Sequence, residues 1–487
     1  MAVSVEEQSQ FLPNEAVNIA IPEKLLQIVA GRPRENHDLG CPMQKVPPLL
    51  RLDKNNQQDY DPLVVSLGPY HHGKEELQSA EDFKLIALEM FTADSGHDVL
   101  FFYFKVLQLV NDVKNCYFED CTKKYDDETF AQMMLLDACF IIHDIISRCK
   151  SAENFYTTRY CLGDLASAIV LRDMFLLENQ IPFRLLKFLM CLRYGKQEGE
   201  DILNEFLNGT VFGNYKVGGI ASRDEDLPHH LLDAFWLVLV SESCKDEPTS
   251  PKSRASDDAV CLRLSNHFKN FGRCSNLHDY IHNLPCFLRW RRSNIENDSS
   301  SKKYVHCFRS ATELKAKGIH FRPSSADSLK GIKFKSGYFY ATLEVPIWFV
   351  SIYTKVFFLN MIAYEMCPST STDQAVTAYI EFMKWLIDNP KDVKELREKK
   401  VLLTTLGSDE EVLKVYKDIN TYAVWNVTIF HDVKEKIQAH YNNKAKTWLA
   451  ELFYTYFNSP WTAIALFAAA FLLVLTFLQT YYTVRPS

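Results

Sequence analysis

Glycine is scarce in this chain, with 17 in 487 residues. That leaves little room for loops whose backbone amides cradle phosphate, and neither a G-x-x-x-x-G-K-[ST] loop nor a G-x-G-x-x-G turn occurs. A G-x-S-x-G nucleophile elbow and an H-E-x-x-H helix are missing too, which excludes the commonest hydrolase signatures. No sign of charge dominates: the net charge is −7 and the pI about 6.1. This argues against nucleic acid as a partner. Residues 1–7 have no basic stretch and no apolar stretch, so a secretory signal is not expected there. Ala2 replaces the glycine of a myristoylation signal, and no cysteine stands fourth from the end for prenylation. The 13 cysteines are odd in number and scattered, which predicts reduced thiols rather than a disulfide framework.

What the chain does have is a long uncharged stretch from Phe457 to Val484. Its central part, Trp461 to Tyr482, would make roughly 33 Å of helix at ~1.5 Å per residue, enough for a bilayer core of ~30 Å. Trp461 sits at one end and Tyr482 at the other, where aromatic rings favour the headgroup layer. A transmembrane helix over 459–483 is expected, followed by a short tail, 484–487. Without a signal peptide this is the layout of a tail-anchored protein with its bulk in the cytosol. Lys434, Lys436, Lys444 and Lys446 before the span agree with that side being cytosolic.

Upstream, 1–40 reads as a polar leader, partly disordered, with one short helical candidate at Glu23 to Ala30. The main region is 41–443, followed by a juxtamembrane segment, 444–458. Prolines 42, 47, 48, 62 and 69 predict extended or turn structure over 41–75. Helical spacing begins near 78, with Phe83, Ile86, Ala87, Met90 and Phe91 on one stripe and Leu100, Phe104, Leu107 and Val110 on another. Leu165 to Leu192 reads as a helix pair broken near Pro182. Polar segments 245–258 and 291–303 predict exposed loops. A small β element is expected near 329–353, from alternation around Ser336-Gly337 and Pro346. Helices resume at Val356–Met366, Asp373–Asp388, Asp409–Asp418 and Val424–Tyr441.

Four constellations bear on chemistry. Gly68-Pro69-Tyr70-His71-His72-Gly73 has turn residues at both ends; His71 or His72 is a metal ligand or general base on one reading, and on the other an imidazole satisfying backbone groups. No carboxylate or cysteine near this pair has ligand spacing. Glu178-Asn179-Gln180, ahead of Pro182, puts three polar groups within an apolar helix. They are costly unless bonded, which predicts a structural network more readily than a ligand-gripping site. Asp137 and Asp144 lie two helical turns apart, and a solvated or capped face is expected there before acid–base work. Cys274, His278, His282 and Cys286 have the sharpest metal-like spacing. The stripe drifts ~40° per step on a helix and Pro285 interrupts it, so a closed zinc site would require bending.

Several blocks resemble the plant "domain of unknown function 247" family. They are Val46-Pro47, Tyr60-Asp61-Pro62 and Val65-Ser66-Leu67-Gly68-Pro69-Tyr70-His71-His72-Gly73, then Leu136-Asp137-Ala138-Cys139-Phe140-Ile141-Ile142, then Leu176-Leu177-Glu178-Asn179-Gln180-Ile181-Pro182-Phe183. Ala311 to Phe321, Leu359 to Glu365 and the C-terminal span complete the set, in the family's order. The family often has Arg where Leu359 stands and Gln where Met366 stands. The resemblance implies a mainly helical, membrane-associated plant protein without an established enzymatic activity, some grass members being implicated in pollen self-incompatibility as recognition factors.

The resulting expectation is a mainly α fold: a large helical domain, the small β element and one C-terminal transmembrane helix. Its partners would be the lipid bilayer and an unidentified protein, with no cofactor. The function expected is membrane-tethered recognition, with loops 245–258 and 291–303 as contact surfaces. Two alternatives stand beside it. One is a membrane-bound hydrolase or transferase using His71 or His72 with Asp137 or Glu178; the other is a zinc-stabilised scaffold.

Overall fold

A computed structural model describes residues 43–93, 95–150, 152–210, 227–241, 309–326, 328–337, 340–368, 370, 372–443 and 460–484. The leader 1–40, loops 245–258 and 291–303 and the juxtamembrane segment lie outside them. The chain is mainly helical, with small sheets, as expected. Residues 43–77 hold only short 3₁₀ turns, at Leu50–Leu52, Gln57–Tyr60 and Glu75–Leu77, because prolines interrupt any longer ladder.

Helix α1 (Gln78–Thr92) buries Phe83, Ala87 and Phe91 of its expected stripe, while Met90 is half-buried and Ile86, 37% exposed, faces outward. Helix α2 (Val99–Leu107) forms where expected, but with the opposite face inward. Leu100 and Phe104 are 59% and 55% exposed, and Phe102 and Val106 are buried instead. A helix reading VLFFYFKVL carries an apolar stripe in every direction, so only packing chooses among them. Short helices α3 (Val110–Lys114) and α4 (Glu119–Thr122) lead to the central helix α5 (Asp127–Cys149). The Asp126 carboxylate caps α5 by accepting from Thr129 N–H at 2.7 Å. Helix α5 is buried on nearly every face, and α1 and α2 pack against it.

Helix α6 (Ala152–Met174) is kinked at Gly163, where φ is +82°. Helix α7 (Phe183–Tyr194) starts directly after Pro182, and α8 (Lys196–Thr210) and α9 (Leu231–Val240) follow among the described residues. The expected break between α6 and α7 is real but longer than a proline kink. The whole stretch 175–182 is non-helical, so Glu178, Asn179 and Gln180 do not lie within a helix.

The C-terminal half begins with α10 (Ala311–Ala316). A three-stranded sheet has the order β1 (Ile319–Pro323), β3 (Ala341–Val345), β2 (Lys333–Ser336). Strands β1 and β3 are parallel in register from Ile319↔Ala341 to Pro323↔Val345, and β2 runs antiparallel to β3. Strand β4 (Trp348–Val350) pairs in parallel with β5 (Leu402–Thr404), residue 348 opposite 402. The 329–353 region therefore holds β2, β3 and β4, while β1 and β5 lie outside it as distant parallel partners.

Helices α11 (Thr354–Glu365), α12 (Ala375–Leu386), α13 (Pro390–Glu398), α14 (Asp409–Asp418) and α15 (His431–Asn442) complete this half. Helix α13 was not foreseen, although Asn389-Pro390 followed by Asp392 forms a capping box with proline in the first turn. Helix α15 starts seven residues later than the expected Val424. Tyr422 and Ala423 adopt positive φ (53° and 56°) just before that point, and Val424 and Val427 are exposed. Helix α16 (Pro460–Val484) is the expected C-terminal apolar helix.

Candidate functional site

The turn at 68–73 and the break at 175–182 meet, and buried polar side chains join them. Asp173 Oδ2 accepts the N–H groups of Leu63, Val64 and Val65 at 2.7–3.2 Å. Asn179 Oδ1 accepts Leu67 N–H at 2.7 Å, and its Nδ2 donates to the carbonyls of Val65 and Asp173, each at 2.9 Å. Asp137 Oδ2 accepts Gly68 N–H at 2.7 Å. The N–H groups of Leu63, Val64, Val65, Leu67 and Gly68 are thus taken by side chains from α5, the end of α6 and the break after it, in place of a neighbouring strand.

Gln180 serves the helix ends. Its Nε2 donates to the carbonyls of Met174 and Leu176 at 2.8 Å, and its Oε1 accepts Leu232 N–H. Asn360 of α11 accepts from Leu177 N–H and donates to the carbonyls of Asp59 and Val356. Lys84 Nζ, fully buried, lies 2.6 Å from Asp137 Oδ1, Glu81 Oε1 and the Ser66 carbonyl. Burial works against its charge, but the Asp137 and Glu81 carboxylates outweigh burial and push its pKa up.

Beside this network lies a second cluster, open to solvent on one side. Asp61, His71 and Glu178 each bring a ligand-type atom within 4.8 Å of the others. His71 forms the floor at 5% exposure, and the Glu178 and Asp61 side chains are 13% and 37% exposed. Glu178 Oε1 accepts Val46 N–H at 2.8 Å, and its Oε2 takes Arg51 Nη2 at 2.6 Å. Arg51 Nη1 reaches Asp61 Oδ1 at 3.2 Å. His71 Nε2 stands 3.8 Å from Glu178 Oε2, and neither ring nitrogen makes a hydrogen bond. Burial, with the Lys74 and Arg51 charges, lowers the His71 pKa to about 4 against the pull of Asp61, so the ring is neutral at pH 7.

This placement corrects several expectations. The imidazoles of the turn do not satisfy backbone groups: His71 faces Glu178, and His72 packs edge-on against Tyr125 at 5.9 Å with its Nδ1 unbonded. The backbone duty falls to Tyr70, whose hydroxyl donates to the Met43 carbonyl at 2.5 Å. Gly68 and Gly73 do take positive φ, +76° and +85°. Asp137 and Asp144 are not on a solvated face. Both are buried, paired with Lys84 and Arg148 respectively, because α5 is covered on nearly every face beyond its first turns. Pro182 ends the break, and its carbonyl accepts from Leu185 and Leu186 N–H.

Of the acid–base partners considered for His71, Glu178 comes close, whereas Asp137 is engaged by Lys84 and Gly68. Asp61 and Arg51 were missed, since they lie 10 and 20 residues before His71 and no local spacing links them. Cys274, His278, His282 and Cys286 fall outside the described residues. Trp461 and Tyr482 both lie on α16, with Trp461 79% exposed.

A family profile described as "Plant protein of unknown function" matches residues 43–475. "UPF0481 protein At3g47200" of Arabidopsis thaliana is 29% identical over 87% of this chain and 83% of its own length. "Putative UPF0481 protein At3g02645", also from Arabidopsis thaliana, is 24% identical over 89% of this chain and 88% of its own. No solved structure matches the chain.

Proposed function

The chain belongs to the domain of unknown function 247 family of plant proteins, and from that premise we propose that it is a membrane-tethered recognition module whose bulk lies on the cytosolic side. The observation that carries the proposal is the contrast between two long apolar helices. Helix α5 is long and apolar enough to cross a bilayer but is mostly buried within the protein, whereas none of the Ile464–Tyr481 stretch of α16 is buried. Phe467, Phe471, Leu473 and Phe477 are 66%, 64%, 71% and 73% exposed. A contiguous apolar surface of this size is unstable in water, and its length suits a bilayer core.

Recognition is the reading that suits the rest of the molecule. The buried carboxylates Asp137, Asp173 and Glu365 are occupied by cations or backbone donors, which makes them fasteners of the fold. The polar segments 245–258 and 291–303 are the proposed contact surfaces.

Alkaline carbonate extraction of plant membranes tests the anchor. The full chain is expected in the pellet, and a chain ending at Asn443 in the supernatant; release of the full chain would overturn tethering. A proximity-labelling enzyme at the N-terminus tests recognition. Labelled cytosolic and membrane-peripheral proteins should change when both polar segments are replaced by Gly/Ser sequence of equal length, and an unchanged set would move the contact surface elsewhere.

A further inference from the structure

We propose that Asp61, His71 and Glu178 form a binding site for a divalent transition-metal ion of the zinc type, with Arg51 as a built-in competitor for the two carboxylates. The three side chains come from separate parts of the chain. Asp61 follows the 3₁₀ turn Gln57–Tyr60, His71 sits in the turn after Gly68-Pro69, and Glu178 lies in the break between α6 and α7. The same buried network that fixes 63–68 against 173–180 holds them together.

His71 carries the argument. It is 5% exposed, yet neither ring nitrogen has a hydrogen-bond partner. A buried donor and acceptor left unsatisfied are expensive, and a glutamate is beside them. If the pair served only the fold, Nε2–H and the carboxylate would close to a hydrogen bond of ~2.7–3.2 Å. The observed separation is 3.8 Å. Two ligands bound at ~2.0–2.1 Å to one tetrahedral ion stand ~3.3–3.4 Å apart, so this gap is nearer to that of a bridging ion than to a direct hydrogen bond, and the three ligand atoms, within 4.8 Å of one another, would draw together on binding.

The donor set selects the ion class. One imidazole nitrogen with two carboxylate oxygens suits a borderline cation such as Zn²⁺ better than Ca²⁺, which takes oxygen ligands. Three protein ligands leave the fourth position of a tetrahedral ion to solvent, on the side where Asp61 is part-exposed. Two carboxylates against one guanidinium carry a formal charge of −1, which a divalent ion reverses. Metal entry therefore loosens the Arg51 contacts at 2.6 and 3.2 Å, and removing Arg51 should strengthen binding.

The test uses untagged full-length chain in detergent, stripped with EDTA and titrated with Co²⁺ and then Zn²⁺. One Co²⁺ per chain is expected, with the visible absorption of a four-coordinate ion and no thiolate charge-transfer band, and Zn²⁺ should displace it. His71→Gln should abolish the absorption. Asp61→Asn, at a part-exposed position that spares the fold, should weaken binding by on the order of tenfold, and Arg51→Gln should tighten it by a similar factor. Cys274→Ser with His278→Gln should change nothing. Absence of binding by the wild-type chain, binding that survives both His71→Gln and Asp61→Asn, or a thiolate band lost in Cys274→Ser would each overturn the proposal.

Discussion

Asn179 fastens the 63–68 segment to the α6–α7 break, and Asn179→Asp tests whether it acts through its donor nitrogen. The side chain is fully buried. The substitution keeps its shape and the acceptor for Leu67 N–H. It replaces Nδ2, which serves the carbonyls of Val65 and Asp173 at 2.9 Å each, with an oxygen that cannot donate. Each buried carbonyl left without its donor costs about 1–3 kcal/mol. The Asp173 carbonyl keeps a long bond from Leu176 N–H at 3.4 Å, so the loss is about 1–6 kcal/mol, against the ~5–15 kcal/mol by which domains are stable. The deficit has a definite pH sign. Protonating the new carboxyl restores one donor and removes a buried charge, so its folded-state pKa lies above the unfolded value of ~3.9. The deficit should be smallest at low pH and grow as pH rises through the folded-state pKa. Pulse proteolysis in urea, on full-length chain in detergent at about pH 5 and about pH 8, reads both quantities. An unchanged midpoint at the higher pH, or a deficit that grows on acidification, would refute the reasoning.

Three further outcomes are expected. Gly68→Ala should destabilise far more than Gly73→Ala: both positions have positive φ, but a Cβ on Gly68 would meet the Gln180 carbonyl at 2.7 Å and the Tyr117 hydroxyl at 3.0 Å, whereas Gly73 has open space. The backbone term is ~1–2 kcal/mol at each and the clash adds ~1–3 kcal/mol at Gly68 only, so equal shifts in thermal midpoint would contradict the packing described. His230 caps α9 by accepting Asp233 N–H on Nδ1, and burial lowers its pKa to about 4. Unfolded histidine binds its proton near 6.5, so His230 contributes up to about 3 kcal/mol that is present above pH ~6.5 and lost as pH falls toward 4; His230→Asn keeps a cap acceptor and should flatten stability over that window, as urea midpoints will show. Leu473→Arg puts a charge in the middle of α16 at about 3 kcal/mol against insertion, and should raise the carbonate-extractable fraction; unchanged extraction would argue that α16 does not span the bilayer.

How far the fold could be read in advance differed by element. Helix α1 and the apolar helix α16 were legible because each carries one dominant pattern, although Ile86 of the α1 stripe lies outward. Helix α2 was legible as a helix but not in its orientation, since Leu100/Phe104 and Phe102/Val106 are equally apolar pairs at helical spacing. Strand β1 and strand β5 were missed because parallel pairing joins residues far apart, such as Phe349 and Leu403, without local alternation to announce it. The Asn179 and Gln180 network was anticipated as structural, but its setting was not: both lie in a non-helical break, where Asn179 fastens an extended segment over a hundred residues earlier and Gln180 bonds Met174, Leu176 and Leu232.

The sequence by itself determined the family, the predominance of helix, the apolar C-terminal helix and the identity of the polar residues that had to be satisfied. All of these follow from local pattern, composition or short motifs. Only the tertiary structure decided which partners satisfied those residues. It paired Lys84 with Asp137, set Asp173 and Asn179 on the backbone of 63–67, and brought Asp61 and Glu178 to an imidazole that no neighbour in the sequence serves. The physical reason is that a buried polar group must find a complementary group in space, and chain distance places no constraint on which one it finds.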